Sequence, residues 1–70
     1  MKISARNILR GKVVGIVRGP VTTEVTLEIA PGVQITSTIT STSAQNLDLQ
    51  EGREVYGVVK SSSVMIATDD

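Results

Sequence analysis

Residues 21–40 read VTTEVTLEIAPGVQITSTIT. In the first half Val25, Leu27 and Ile29 alternate with Glu24, Thr26 and Glu28. Successive side chains of a strand point to opposite faces, so this two-residue period sets one face on a core and the other in water. Pro31-Gly32 supplies a turn, after which Val33, Ile35, Ser37 and Ile39 alternate with Gln34, Thr36, Thr38 and Thr40. The stretch is a hairpin of two strands, Val21 to Ala30 and Val33 to Thr40.

Outward from the hairpin the chain continues as strand. Lys12 to Arg18 is apolar on both faces, which predicts a strand covered on both sides and ended by Gly19-Pro20. Two more short strands, Glu54 to Lys60 and Val64 to Ala67, follow a turn at Glu51-Gly52. Between the third and fourth strands, Thr42-Ser43-Ala44-Gln45 fits a capping box, with Thr42 accepting from the Gln45 amide. A single helical turn through about Leu47 is expected there, with Leu47 and Leu49 plugging the barrel end. Five strands with one helix between the third and fourth predict an all-β fold, the five-stranded Greek-key barrel called the OB-fold. Residues 1–70 show no linker, repeat or composition shift, so one domain is expected, and closure of the fold by Ala67 favours a stand-alone protein.

Seventy residues bury only about 60% of their unfolded surface, which leaves a monomeric core marginal. With no Cys and no His, the chain lacks disulfides, the common zinc patterns, and thiol or imidazole catalysis. Association is the remaining support for so small a fold, so an oligomer is expected. Seven Lys and Arg balance seven Asp and Glu, so no global field attracts nucleic acid or membrane. Two of the acids are the terminal Asp69-Asp70, and the remainder carries a charge of +2. No apolar run approaches the roughly 20 residues of a membrane span, and Met1-Lys2 leads into no signal-peptide core. A soluble, cytoplasmic protein is the expectation.

Donors beside a cation occur twice, in Ser4-Ala5-Arg6-Asn7 and Lys60-Ser61-Ser62-Ser63, with no acid within five positions of either cluster. A fold that joined them would make a pocket of donors and positive charge, the chemistry of an oxyanion site. Taken singly these residues are ordinary. Arg6 reads as a solvated arginine, Lys60 as a charge guarding a strand edge, and the serines as a polar loop. Thr40 neighbours the helical turn, and Gly11, Gly15 and Gly57 read as bulges or bends.

From Ile3 to Ala67 the chain resembles the molbindins, small molybdate- and tungstate-binding proteins related to the TOBE domains of molybdate transporters and regulators. The resemblance rests on Ile3-Ser4-Ala5-Arg6-Asn7 with Leu9, Gly11 and Gly15, on Ile35-Thr36-Ser37 and Ile39-Thr40, on Leu49-Gln50-Glu51-Gly52, and on Val58-Val59-Lys60-Ser61 with Val64-Met65-Ile66. It implies storage or homeostasis of molybdate or tungstate in a hexamer built as a trimer of dimers, with the anions at subunit interfaces. Carried over by position, Ser4, Ala5, Arg6, Thr40, Lys60 and Ser61 would surround one class of site. A second class on three-fold axes would fall at Gly19, Val21 and Thr22, where Pro20 departs from the pattern because it has no amide to donate.

The chemistry agrees independently. Molybdate and tungstate at pH 7 are dianions without a proton, so they only accept hydrogen bonds and are suited by a site that only donates. Phosphate usually keeps a proton that needs an acceptor, and the two clusters contain no carboxylate. Among rivals, single-stranded nucleic acid calls for aromatic stacking in a basic groove, whereas this chain has one aromatic residue, Tyr56. An enzyme would need an acid–base pair that the spacing of Asp and Glu does not offer, so no catalytic residue is assigned. The other reading is an OB-type oligomerisation or accessory domain without its own ligand.

Overall fold

The computed structural model describes all residues 1–70. Its order is β1 (Asn7–Arg18), β2 (Thr22–Ala30), β3 (Val33–Thr40), α1 (Ser41–Asn46), β4 (Glu54–Val59) and a 3-10 turn, Ser61–Ser63. The strands form one antiparallel sheet in the order β3-β2-β1-β4. The alternation in residues 21–40 gives the observed hairpin, with Leu27 paired to Ile35 and Thr23 to Ile39 across it. Gly32 and Gly52 both take positive φ, the conformation that makes glycine the residue of choice at these two turns.

The first strand begins at Asn7, five residues before the Lys12 expected from periodicity. A bulge hides its pattern. Val13 pairs with Leu27 and Gly15 with Thr26, so Val14 is the extra residue. An extra residue reverses the alternation. Val13 and Ile16 therefore both face the core, where strict alternation would oppose them. Val14 and Val17 face outward and stay exposed, so in the single chain this strand is covered on one side only.

The core is small: Val13, Val25, Leu27, Ala44 and Leu49, with Ile16, Ile29, Ile35, Ile39 and Val55 packed against it. Gly57 permits β4 to approach it, because a Cβ there would lie 2.9 Å from Ile35 Cδ1. Leu49 plugs the core as expected, but Leu47 is 58% exposed and does not.

The helix starts one residue after Thr40, so Thr40 and not Thr42 is its N-cap. Thr40 keeps extended backbone angles (φ −67°, ψ 146°), and its hydroxyl accepts from the Ser43 amide at 3.1 Å. The cause is the chain's pairing: the β3 ladder ends at Thr22↔Thr40, and the Ser41 amide then donates to Val21 O at 2.8 Å. Ser41 Oγ donates to Gly19 O at 2.6 Å, so the hydroxyl of buried Thr23 donates to Ser41 Oγ at 2.8 Å. This relay fastens the helix start to the β1–β2 turn. Gly19 is required in that turn, since a Cβ would stand 2.5 Å from Thr22 O.

At its other end the helix closes with Asp48 N–H to Gln45 O at 3.0 Å and Leu49 N–H to Ala44 O at 3.1 Å. With Asp48 at φ 52°, this is a Schellman closure, and its apolar contact is the Ala44–Leu49 pair of the core. Arg53 donates to the carbonyls of Leu47 and Asp48 and Arg18 to that of Leu49, so the end of the loop is satisfied by side chains.

The expected fifth strand is absent. Val64 to Ala67 forms no ladder with its own sheet, and Met65 and Ile66 are 92% and 87% exposed. The sheet has four strands and its two edges, β3 and β4, remain open within the chain.

Candidate oxyanion site

The pairing of β1 with β4 brings the chain's two ends together. Register runs from Lys12↔Glu54 to Asn7↔Val59, and the Asn7 side-chain amide donates to Val59 O at 3.3 Å. One step past this last pair, Arg6 and Lys60 flank the end of the ladder. Beyond them the two segments border an open cleft of about 500 Å³ lined by Ile3, Ser4, Ala5, Arg6, Lys60, Ser61 and Ser62.

Five of the six residues assigned from sequence to the first site thus line one cleft: Ser4, Ala5, Arg6, Lys60 and Ser61. Its lining holds two cations, three serine hydroxyls and no carboxylate. The 3-10 turn presents the serines: Lys60 keeps extended angles, and Ser63 N–H closes the turn on Lys60 O at 2.8 Å. Ser62 belongs to the donor cluster already visible in sequence, whereas Ile3 is an apolar wall that no chemical signal marks.

Thr40 is not in this cleft. It pairs with Thr22, past the far end of β1, and twelve residues at about 3.3 Å each put roughly 35 to 40 Å of strand between the two places. Its oxygen already caps α1 and donates to Ser43 Oγ at 2.8 Å. The residues assigned to the second site, Gly19, Val21 and Thr22, lie beside it. There the carbonyls of Gly19 and Val21 are taken by Ser41, and the side chains of Val21 and Thr22 are exposed. The chain therefore carries two separate clusters, one at each end of β1.

A second cleft, of about 240 Å³, offers a contrast. It holds Arg10, Lys12, Glu28 and Glu54, two cations with two carboxylates. Arg10 Nη2 meets Glu54 Oε2 at 2.8 Å, and the hydrogen bond with Glu54, then its charge, raise the Arg10 pKa above the ordinary value. A dianion entering this cleft meets its own sign on both glutamates. The cleft at the chain ends is the one suited to it. No group of three or more His, Cys, Asp or Glu is placed to hold a metal ion, and no helix is long and apolar enough to cross a membrane.

The TOBE domain family profile matches residues 3–66. Molybdenum-pterin-binding protein 2 of Clostridium pasteurianum is 58% identical over 66 residues, which span 94% of this chain and 97% of that protein. A molybdate binding protein from Sporomusa ovata superposes with a TM-score of 0.90 at 34% identity, covering 97% of this chain and all of that one. The cytoplasmic molybdate-binding protein ModG, with molybdate bound, superposes with a TM-score of 0.80 at 36% identity over 94% of this chain and 53% of ModG.

Proposed function

The chain belongs to the TOBE-domain family, and from that premise we propose that it binds molybdate or tungstate at subunit interfaces, for storage or homeostasis inside the cell. The observation that carries this reading is the cleft of Ser4, Ala5, Arg6, Lys60 and Ser61, which joins two cations to hydroxyl donors and excludes every carboxylate. Such a site suits an unprotonated tetrahedral dianion, and two charge-assisted contacts give it most of its affinity. Two similar structures described as molybdate-binding proteins, and a relative named for binding molybdenum-pterin, support the same reading, and none of those names describes catalysis.

The site is shared between copies. Thr40 lies at the far end of β1 from the cleft in its own chain, so only a second copy can add its Thr40 to the first copy's Arg6 and Lys60. Two other features support assembly. Val14, Val17, Tyr56 and Val58 stay exposed on the outer sheet face among its charged residues, and the Val64–Ala67 tail pairs with no strand of its own chain. Laid along an open edge of a neighbouring sheet, that tail is the fifth strand of the barrel. The assembly is a hexamer, a trimer of dimers. Gly19, Val21 and Thr22 provide the secondary site, through the Val21 and Thr22 amides and the Thr22 hydroxyl, with Pro20 contributing none.

The test is elemental analysis of protein purified from cells supplied with both oxyanions, combined with native mass. Bound molybdenum or tungsten in an assembly of six supports the reading. A metal-free assembly that also fails to take up either oxyanion when dialysed against it would leave the accessory, ligand-free domain.

A further inference from the structure

Arg6 and Lys60 are brought together by a ladder that ends just before them. The last register pair is Asn7↔Val59, and Arg6 and Lys60, the next residue on each side, both line the same cleft. Like charges close to one another repel, and the end of a ladder is where it opens first. Without an anion between them, repulsion between the two cations favours opening of this end of the β1–β4 ladder. One side-chain hydrogen bond crosses between the two segments, from Asn7 Nδ2 to Val59 O at 3.3 Å, on a half-buried residue. The acceptor is a carbonyl, so the amide nitrogen must face it.

We propose that Asn7 is the positioning residue of the oxyanion cleft: it ties the start of β1 to the end of β4 and holds Arg6 and Lys60 together against their repulsion. Asn7 is not in the cleft lining. Its effect is preorganisation: a site already closed to binding distance does not spend ligand affinity on closing. The core of Val13, Val25, Leu27, Ala44 and Leu49 does not include it, so losing the tie opens the ladder's end and leaves the fold in place.

This inference rests on the oxyanion reading for its ligand, but its test separates the two. Asn7→Leu keeps the side-chain shape without the donor, Asn7→Ala removes the donor without added apolar bulk, and Asn7→Gln retains an amide. In the assembled protein, molybdate affinity by calorimetry is expected to fall about tenfold in the Leu and Ala variants and to be partly recovered in the Gln variant. Without ligand, amide exchange of residues 7–9 and 58–60 should quicken while Val25 and Leu27 stay protected. The deciding comparison is a cycle with Arg6→Ala. If the tie opposes charge repulsion, removing Arg6 removes its task, and Asn7→Leu should then change exchange at the ladder's end, and affinity where it remains measurable, by less than twofold.

Unchanged exchange in Asn7→Leu, or a full effect persisting beside Arg6→Ala, would overturn the proposal. If wild type binds no molybdate, the oxyanion reading fails, yet the ligand-free exchange cycle still decides the role of Asn7.

Discussion

Arg6 and Lys60 carry most of the proposed affinity, because they are the two charges on a cleft that otherwise offers neutral donors. Removing one charge-assisted contact from a desolvated interface costs roughly 2 to 5 kcal/mol, about 30-fold or more in affinity. Arg6→Ala and Lys60→Ala should each weaken molybdate binding by that factor in calorimetry; unchanged affinity in both would remove them from the site. On the proposed reading, selectivity rests on the missing acceptor. Ser4→Asp adds a carboxylate that repels every dianion, but a phosphate proton can bond to it and recover part of the loss, while molybdate has none to offer. Competition assays should show the molybdate-to-phosphate ratio falling, and an unchanged ratio would mean that proton content does not set the choice. At this scale the site was legible where donors are contiguous, as in Ser4 to Asn7 and Lys60 to Ser63. Thr40 stands apart from that set in its own chain, because where it lies relative to the cleft depends on the strand register, which is not a local signal.

At the scale of elements, the hairpin and the turn before β4 were legible because alternation and the Pro31-Gly32 and Glu51-Gly52 pairs are local signals. Two other features were not. The β1 bulge at Val14 made a strand with one buried face look apolar on both. The cap moved to Thr40 because the end of the β3 ladder and the Ser41 bonds to Gly19 and Val21, all long-range, fix where the chain turns. The two cap assignments differ in a measurable way. Thr40→Ala should lower stability by about 1 kcal/mol, the usual worth of an N-cap, and Thr42→Ala, on an exposed helical position, by less than about 0.5. Denaturant midpoints showing the larger loss at Thr42 would return the cap to the box first read there. The missing fifth strand has a simpler cause: the short apolar run Val64-Met65-Ile66 reports capacity for a strand, and a ladder needs a neighbour.

For the whole molecule, so few buried residues in a chain of 70 leave little to hold a monomer, and the apolar side chains exposed on the outer face and in the tail are what the proposed assembly would cover. Six chains of 7.4 kDa give about 44 kDa by sedimentation, and removing residues 64–70 should shift the distribution to smaller species, because it deletes the proposed fifth strand. A full-length chain sedimenting as a monomer at micromolar concentration would end the shared-site account. The most direct measurement is anomalous X-ray diffraction at a tungsten absorption edge from crystals grown with tungstate, which locates the metal without assumption. The account predicts a peak enclosed by Ser4, Arg6, Lys60 and Ser61 of one copy and Thr40 of another, with no carboxylate in contact. A peak at the Arg10–Glu54 cleft, a peak enclosed by one chain alone, or no peak at saturating tungstate would contradict it.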